Sequence, residues 1–202
     1  MSEQQVVRFF GTLAGHLDRS ARILLTGAGA GALLGSVRPS QDVDFEIKLD
    51  RSDPAGWEEL QQAVEATVAE TGIRANYAEE IDRWGAITLM DYRRHALPYR
   101  RFGKLEVRLL DPVYWAIGKL GRYVQSDVQD MVAVLRKQRP SWRKAVAVWG
   151  RALRQSPRSE ALTAFRKQTE GFLRAYGRKI WGRRFDPTTA IQLFHRHAGI
   201  PA

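Results

Sequence analysis

Cysteine is absent from this chain of 202 residues. Its absence excludes disulfide bonds, thiol nucleophiles and cysteine-ligated zinc; it leaves the compartment open but fits the cytosol. The four histidines show no spacing that would join them to each other or to carboxylates as metal ligands. His195 and His197, for example, are two positions apart on a predicted helix, so their rings diverge. Carboxylates, cationic side chains and backbone groups therefore remain the main candidates for a functional site.

Long apolar runs are also missing, since no stretch of about 18 apolar residues occurs. The first residues lack a basic segment followed by an apolar core, the pattern typical of a secretory signal. We therefore expect a soluble, cytoplasmic protein with no membrane partner. The hydrophobic share of 44% is enough for a real core, and the length suits one catalytic domain with a helical extension.

Acidic residues are scarce in the last part of the chain. Up to Leu120 there are 15 lysines and arginines against 17 acidic residues, whereas from Gly121 onward there are 17 against 5. Net charge of this kind informs about partners and solubility rather than about folding. The sequence therefore predicts a polyanion-binding surface in the C-terminal third.

The segment ILLTGAGAGALLGSVRPSQDVDFEI, residues 23–47, carries the most specific pattern. An apolar strand runs into the turn Gly27, Ala28 and Gly29, where backbone N–H groups and a following helix would bind an anion. On the next strand, Asp42 and Asp44 flank Val43, so both carboxylates project from one face about 7 Å apart at their Cα atoms. Two such ligands can hold Mg²⁺, or Mn²⁺, and share it with substrate phosphates.

This arrangement resembles the nucleotidyltransferase superfamily, which has the polymerase-beta-like fold. The nearer resemblance is to AbiEii-type toxin nucleotidyltransferases, in which a Gly-Gly-x-Ala turn is followed by an Arg-x-Ser/Thr stretch that runs directly into Asp-x-Asp. Arg38 and Ser40 occupy that stretch here. The resemblance implies that the 27–29 turn, Arg38 and Ser40 bind a nucleoside triphosphate. One position departs from the family, because Ala28 stands where Gly or Ser is usual.

A later segment, LLDPVYWAIGKLGRYVQSDVQDMVAVL, resembles the family's lysine helix and its Asp-x-x-Asp element. The resemblance implies that Lys119 reaches the triphosphate or braces the acidic site, and that Asp127 supports it. Asp127 and Asp130 also have an ordinary structural explanation, because carboxylates favour the first turns of a helix. The resemblance covers about residues 23–135.

Two-metal phosphoryl transfer usually needs a third carboxylate, as a ligand of the second metal or as a base. Candidates are Glu106, Asp91 and Asp82. In the superfamily the third acid lies on a later strand beside the Asp-x-Asp strand, so Glu106 in KLEVRLL is preferred and Asp91 is the alternative. An exposed strand glutamate without a catalytic role is the competing interpretation of Glu106.

The basic C-terminal third is predicted to be helical, near 127–138, 140–155, 157–180 and 187–198. Cations recur there at helical spacing between aromatic residues, which could place several phosphate contacts along one surface. The alternative is a basic but merely soluble helical face. The candidates for nucleic-acid contact are Arg143, Lys144, Arg151, Arg154, Arg174 and Arg178.

Together these patterns predict an α/β (α+β) fold with a nucleotidyltransferase-type mixed sheet over 1–122 and a basic helical bundle over 123–202. Strands are expected near 22–26, 42–49, 73–78, 86–92 and 104–110. The N-terminal helix is expected over 2–19.

The expected activity is Mg²⁺-dependent transfer of a nucleoside monophosphate from an NTP to an RNA hydroxyl. The family resemblance makes transfer RNA a possible acceptor and an antitoxin protein a possible partner. Two alternatives stay open. One is transfer to a protein hydroxyl, and the other is a non-catalytic member that binds nucleic acid or a partner, which Ala28 favours.

Overall fold

The computed structural model describes residues 1–36, 42–51 and 53–201. Within them the chain forms a five-stranded mixed sheet and eight α-helices, which confirms the prediction of a mixed α/β protein. The strands are β1 Ala21–Thr26, β2 Asp42–Leu49, β3 Arg74–Ala78, β4 Leu97–Phe102 and β5 Leu105–Leu109. The helices are α1 Glu3–His16, α2 Gly27–Leu34, α3 Pro54–Thr71, α4 Pro112–Arg122, α5 Gln125–Gln138, α6 Trp142–Gln155, α7 Glu160–Trp181 and α8 Pro187–Ala198.

The described residues divide into two compact units. The first contains residues 1–33, 42–51, 53–81 and 93–110, and it holds the sheet with α1 and α3. The second contains residues 34–36, 82–92 and 111–201, and it holds α4 to α8. The division thus falls at Leu110 rather than at the expected residue 122, because α4 packs with the later helices.

Strand order in the sheet is β3-β2-β1-β5-β4. The central strand β1 is antiparallel to β2 and parallel to β5. At the two edges, β3 is parallel to β2 and β4 is antiparallel to β5. The expectation that the 104–110 strand lies beside the Asp-x-Asp strand was therefore wrong, since β1 separates them.

The prediction of a strand at 86–92 was also wrong. That segment is irregular, and the fourth strand is instead β4, which follows a short 3₁₀ helix at Tyr92–His95. β4 contains Pro98, and its register with β5 shifts between Pro98 and Arg100. Proline cannot donate to a ladder, so an edge strand with a local irregularity is where it is tolerated.

The core of the first unit forms where α1 lies against the sheet. Ser2 caps α1 in a reciprocal capping box with Gln5, which starts the helix one residue later than expected. Phe9 and Phe10 are fully buried and pack on Phe45 of β2 with ring centroids 6.0 and 5.5 Å apart. This burial fixes which face of β2 points inward, and so which face carries the acidic residues.

In the second unit, α6 and α8 pack most closely. A Cβ atom at Gly150 of α6 would lie 2.7 Å from the backbone oxygen of Phe194 on α8, so glycine allows the two backbones to approach. Trp149 is fully buried beside it and donates from Nε1 to the carbonyl of Val113 at 2.9 Å. None of the helices in the described ranges has the length and apolar character needed to cross a membrane.

Candidate functional site

Strand β2 alternates between a buried apolar face and an acidic face. Val43, Phe45 and Ile47 are fully buried, whereas Asp42 and Asp44 are half-buried on the opposite face. This alternation follows from the two-residue repeat of a strand. It places both carboxylates on one side of the sheet.

The neighbouring strand β3 supplies a polar group at the same position. Asn76 pairs in register with Asp44, and its Nδ2 donates to Asp44 Oδ1 at 2.9 Å and to Asp42 Oδ2 at 3.3 Å. One amide nitrogen therefore draws the two carboxylates together. Asn76 was not predicted from the sequence, because its position beside Asp44 depends on the register between β2 and β3.

The Gly27 turn lies directly against Asp44, one member of this acidic pair. Asp44 is in register with Thr26, the last residue of β1, and Gly27 opens α2 with a φ of +59°. A Cβ atom at Gly27 would lie 1.8 Å from Asp44 Oδ2. The absence of a side chain at Gly27 thus allows the carboxylate to sit at the N-terminus of α2, where the helix dipole favours anions.

The two other turn residues differ in exposure. Ala28 is half-buried in the first turn of α2, whereas Gly29 is buried. A Cβ atom at Gly29 would meet Met1 Sδ at 3.4 Å and Leu25 Cδ1 at 3.5 Å, so Gly29 faces the protein interior. Arg38 and Ser40 lie outside the described residues.

The donor set at Asp42 and Asp44 fits a shared divalent cation better than a closed protein site. Mg²⁺ in phosphoryl-transfer sites is commonly held by one or two carboxylates plus substrate phosphates. Among the residues that the structure describes, no group of three or more His, Cys, Asp or Glu is placed to hold a metal. Turning the Asn76 amide over would present its oxygen in place of its nitrogen, which adds a third oxygen ligand from the chain.

Glu106 does not join this site, which corrects its expected role as third carboxylate. Glu106 pairs with Arg22 of β1, whereas Asp44 pairs with Thr26. The four-residue offset along β1 corresponds to about 13 Å, and β1 itself lies between the two acidic strands. The Glu106 carboxylate lies 3.9 Å from Arg108 Nε instead.

The alternative candidates belong to the second unit, not to the sheet. Asp91 is exposed in a turn with a φ of +54°, so it does not end a strand as predicted. Asp82 lies in a 3₁₀ helix at Ile81–Trp84.

Glu46, one step beyond Asp44 on the same face of β2, has a structural role. Its side chain is buried and accepts Arg93 Nε at 2.6 Å and Arg93 Nη2 at 3.1 Å. It also accepts the backbone N–H of Ile81 at 3.2 Å. Such a paired carboxylate stabilises the loop that follows β3 and is not presented as a metal ligand.

Lys119 lies in the second unit at the centre of a buried ionic cluster. The residue is only 2% exposed, and Nζ donates to Asp127 at 2.7 Å and to Asp130 at 3.1 Å. Arg122 donates to both oxygens of Asp127 at 3.1 Å, and Ser36 donates to Asp130 at 2.5 Å. The cluster joins α4 to α5, and a phosphate could reach Lys119 only by competing with these carboxylates.

The electrostatics of Asp127 reflect that cluster. Burial raises the pKa of this carboxyl, but the hydrogen bonds from Arg122 and Lys119, together with their charges, outweigh burial and bring the pKa below its usual value. Asp127 is therefore held as a carboxylate. The structure shows the contact of Asp127 with Lys119, and its supporting role at the site stays a prediction.

The candidate nucleic-acid residues are all exposed but differ in their partners. Lys144 donates to the buried carboxylate of Asp111 at 2.9 Å, so it also helps to fix the start of α4. Arg174 lies 3.5 Å from Glu170, and Arg143 stacks over the ring of Trp142 at 4.3 Å. The remaining three, Arg151, Arg154 and Arg178, project from α6 and α7.

Comparison of the chain with protein-family models, with curated proteins and with solved structures finds no match.

Proposed function

We propose that this protein is a Mg²⁺-dependent nucleotidyltransferase that moves a nucleoside monophosphate from an NTP to a hydroxyl of RNA. The observation that carries the proposal is the contact between the Gly27 turn and Asp44, with Asp42 beside it on β2. An NTP bound to a divalent cation needs both an anion-binding helix N-terminus and oxygen ligands for the cation. This corner of the sheet offers both within contact distance.

In the proposed reaction the hydroxyl oxygen of the acceptor attacks the α-phosphorus of the NTP. The bond from that phosphorus to the α,β-bridging oxygen breaks, and pyrophosphate leaves with the electron pair. The acceptor proton passes to a carboxylate or to water. A bound divalent cation would neutralise the charge that develops on the phosphate oxygens.

The residues of the chain would position the reactants. Asp42 and Asp44 would hold the cation from one side of the sheet, and Asn76 would fix their separation. The N-terminus of α2 would face the phosphates. Arg38, Ser40 and Lys119 stay predicted nucleotide contacts from the motif resemblance.

The acceptor is proposed to be RNA because of the charge distribution. The basic excess lies wholly from Gly121 onward, in the helical unit. Folding does not require such an excess, and each phosphate neutralised by a lysine or arginine strengthens binding at low salt. An antitoxin-like protein partner stays a prediction from the motif resemblance.

The test is label transfer from each α-³²P-labelled NTP with Mg²⁺ and total cellular RNA, followed by separation of RNA from protein. Label in RNA supports the proposal and identifies the nucleotide. Label only in protein would instead establish a protein hydroxyl as the acceptor. Binding of RNA without any label transfer would contradict the enzymatic proposal and favour a non-catalytic binding protein.

A further inference from the structure

The helical unit carries an aromatic and cationic surface, of which only Arg143 is among the nucleic-acid contacts predicted from the sequence. We name it the tryptophan corner and define it by residues from the start of α6, the end of α7 and the turn after α7. Its members are Trp142, Arg143, Trp181, Arg183, Arg184 and Phe185.

Phe185 is the buried centre of this corner. It is 2% exposed, and its ring stacks on Trp181 with centroids 5.1 Å apart and forms a T-shaped contact with Trp142 with centroids 5.8 Å apart. A Cβ atom at Gly177 would lie 2.0 Å from the Phe185 ring, so a glycine on α7 is needed for this packing. The two tryptophans are consequently held in place at the surface, where each is half-buried.

Hydrogen bonds fix the same arrangement. Trp181 Nε1 donates to the carbonyl of Pro140 at 2.8 Å, which ties the end of α7 to the segment before α6. The backbone N–H of Phe185 donates to the carbonyl of Gly182 at 3.1 Å, and Gly182 has a φ of +90°. This tight turn presents Arg183 and Arg184, both exposed, beside the tryptophans.

The arginines of the corner have no acidic partner within the described ranges. Asp186, the nearest acid in sequence, caps α8 by accepting the N–H groups of Thr188 and Thr189. Arg143 stacks on Trp142 with its guanidinium carbon 4.3 Å from the ring centroid. The positive charge here is thus available to an external anion.

The other acidic residues of the helical unit beyond Gly121 are used elsewhere. Asp127 and Asp130 bind Lys119 in the buried cluster, and Glu170 binds Arg166 and His195. Glu160 opens α7, whose 22 residues place it about 31 Å from Trp181 along the helix axis. The internal charge balance therefore leaves the corner positive.

From these observations we propose that the tryptophan corner binds unpaired RNA. Aromatic rings and guanidinium planes stack with exposed bases, and flanking arginines bind the phosphates between them. A duplex hides its bases and gains only the phosphate contacts, so a single strand is favoured. The inference rests on the proposed function only for the choice of RNA, because binding needs neither the cation nor the nucleotide.

The test measures binding of the full chain to a labelled oligouridylate by fluorescence anisotropy, in EDTA and without NTP. A duplex of the same length is the comparison, and a polyglutamate peptide of equal charge is the competitor. Because the assay omits the cation and nucleotide, its outcome is independent of whether the protein transfers a nucleotide.

Two kinds of variant separate stacking from charge. The exposed pair Arg183→Ser with Arg184→Ser should weaken single-strand binding about tenfold and reduce the salt slope by about 1.4, since each single-strand phosphate contact contributes roughly 0.7. The matched control is Arg158→Ser with Lys167→Ser, which removes the same charge from the segment before α7 and from the first half of α7. This control pair should change the single-strand affinity less than about twofold. Trp142→Leu should weaken single-strand binding about fivefold or more and leave duplex binding unchanged.

Three results would overturn the proposal. The first is equal affinity for duplex and single strand. The second is a loss of single-strand affinity in the control pair as large as in the Arg183→Ser, Arg184→Ser pair. The third is full competition by polyglutamate with no effect of Trp142→Leu, which would indicate an acidic protein partner. Circular dichroism of each variant verifies that the helices are intact, and the arginine pair tests the corner even where Trp142→Leu disturbs folding.

Discussion

The side-chain amide of Asn76 bridges Asp42 and Asp44, with its nitrogen 2.9 Å from Asp44 Oδ1 and 3.3 Å from Asp42 Oδ2. A neutral donor thus occupies the position on β3 that is in register with Asp44. A carboxylate at this position would face the carboxylates of Asp42 and Asp44 on the one neighbouring strand, β2. The side chain at position 76 therefore determines whether two or three carboxylates meet at the site. The effect of a third carboxylate on cation binding can be measured.

Asn76→Asp should make the stability of the protein depend on divalent cations. In EDTA the added charge should lower the free energy of unfolding by about 1 kcal/mol, because like charges a few ångströms apart repel even in water. Saturating Mg²⁺ should reverse that loss, since binding to the folded state alone stabilises it. Melting temperatures in EDTA and in Mg²⁺ test this, with Gln62→Glu on α3 as a control that adds the same charge away from β3. Equal Mg²⁺ responses in both variants would argue against a cation site here.

Gly27→Ala should displace the Asp44 carboxylate and thereby reduce Mg²⁺-dependent nucleotide binding. The new Cβ would lie 1.8 Å from Asp44 Oδ2, and the φ of +59° would cost about 1–2 kcal/mol for any L side chain. Gly72→Ala is the matched control, because Gly72 has a φ of +68° but no neighbour within 4 Å. Calorimetric titration with Mg²⁺ and NTP should show weaker nucleotide binding in Gly27→Ala only. Equal nucleotide affinities of Gly27→Ala and Gly72→Ala would show that the glycine turn is not part of the nucleotide site.

Lys119→Met should destabilise the helical unit by about 3–5 kcal/mol, because it leaves Asp127 and Asp130 buried without their shared cation. Arg122→Met is the control: its side chain is 64% exposed, so we expect a loss below about 1 kcal/mol. Urea denaturation measures both. Unchanged stability in Lys119→Met, combined with weaker NTP binding, would show that Lys119 acts on the nucleotide rather than on the fold.

Asp127 should make stability sensitive to acid. Its folded pKa lies below the usual value, because hydrogen bonds and charges from Arg122 and Lys119 outweigh the effect of burial. A lowered folded pKa contributes stability that is complete above the unfolded value of about 3.9 and is lost as the pH falls through the folded value. Asp127→Asn should therefore be less stable than wild type near neutral pH, with the difference shrinking below about pH 4. A constant difference across urea titrations at each pH would contradict this assignment.

The strand β2 and its acidic face could be predicted from the sequence alone. Val43, Phe45 and Ile47 alternate with polar residues, and this repeat determines the side of the sheet on which Asp42 and Asp44 lie. The helical positions in the last third were also close to those observed, because Pro187 and the Asp186 cap mark helix starts through local chemistry. Local patterns were sufficient in both cases.

The role of Glu106 and the presence of Asn76 could not be predicted in the same way. Both depend on strand order and register, which place Glu106 opposite Arg22 and Asn76 opposite Asp44. Register is determined by tertiary packing of the buried faces, and the sequence of one strand does not identify the strand with which it pairs. The prediction of a strand before β4 was wrong for a related reason. Residues 86–92 have strand-like composition but form no ladder in the structure.

The most direct test of the central claim compares label transfer by three proteins under identical conditions. These are the wild type, Asp42→Ala and the control Glu106→Gln, which changes a carboxylate about 13 Å along the sheet from the site. We expect Mg²⁺-dependent transfer from labelled NTP to RNA by the wild type and by Glu106→Gln, and no transfer by a folded Asp42→Ala. Transfer that persists in Asp42→Ala, or that is lost only in Glu106→Gln, would contradict the assignment of Asp42 and Asp44 as the catalytic pair.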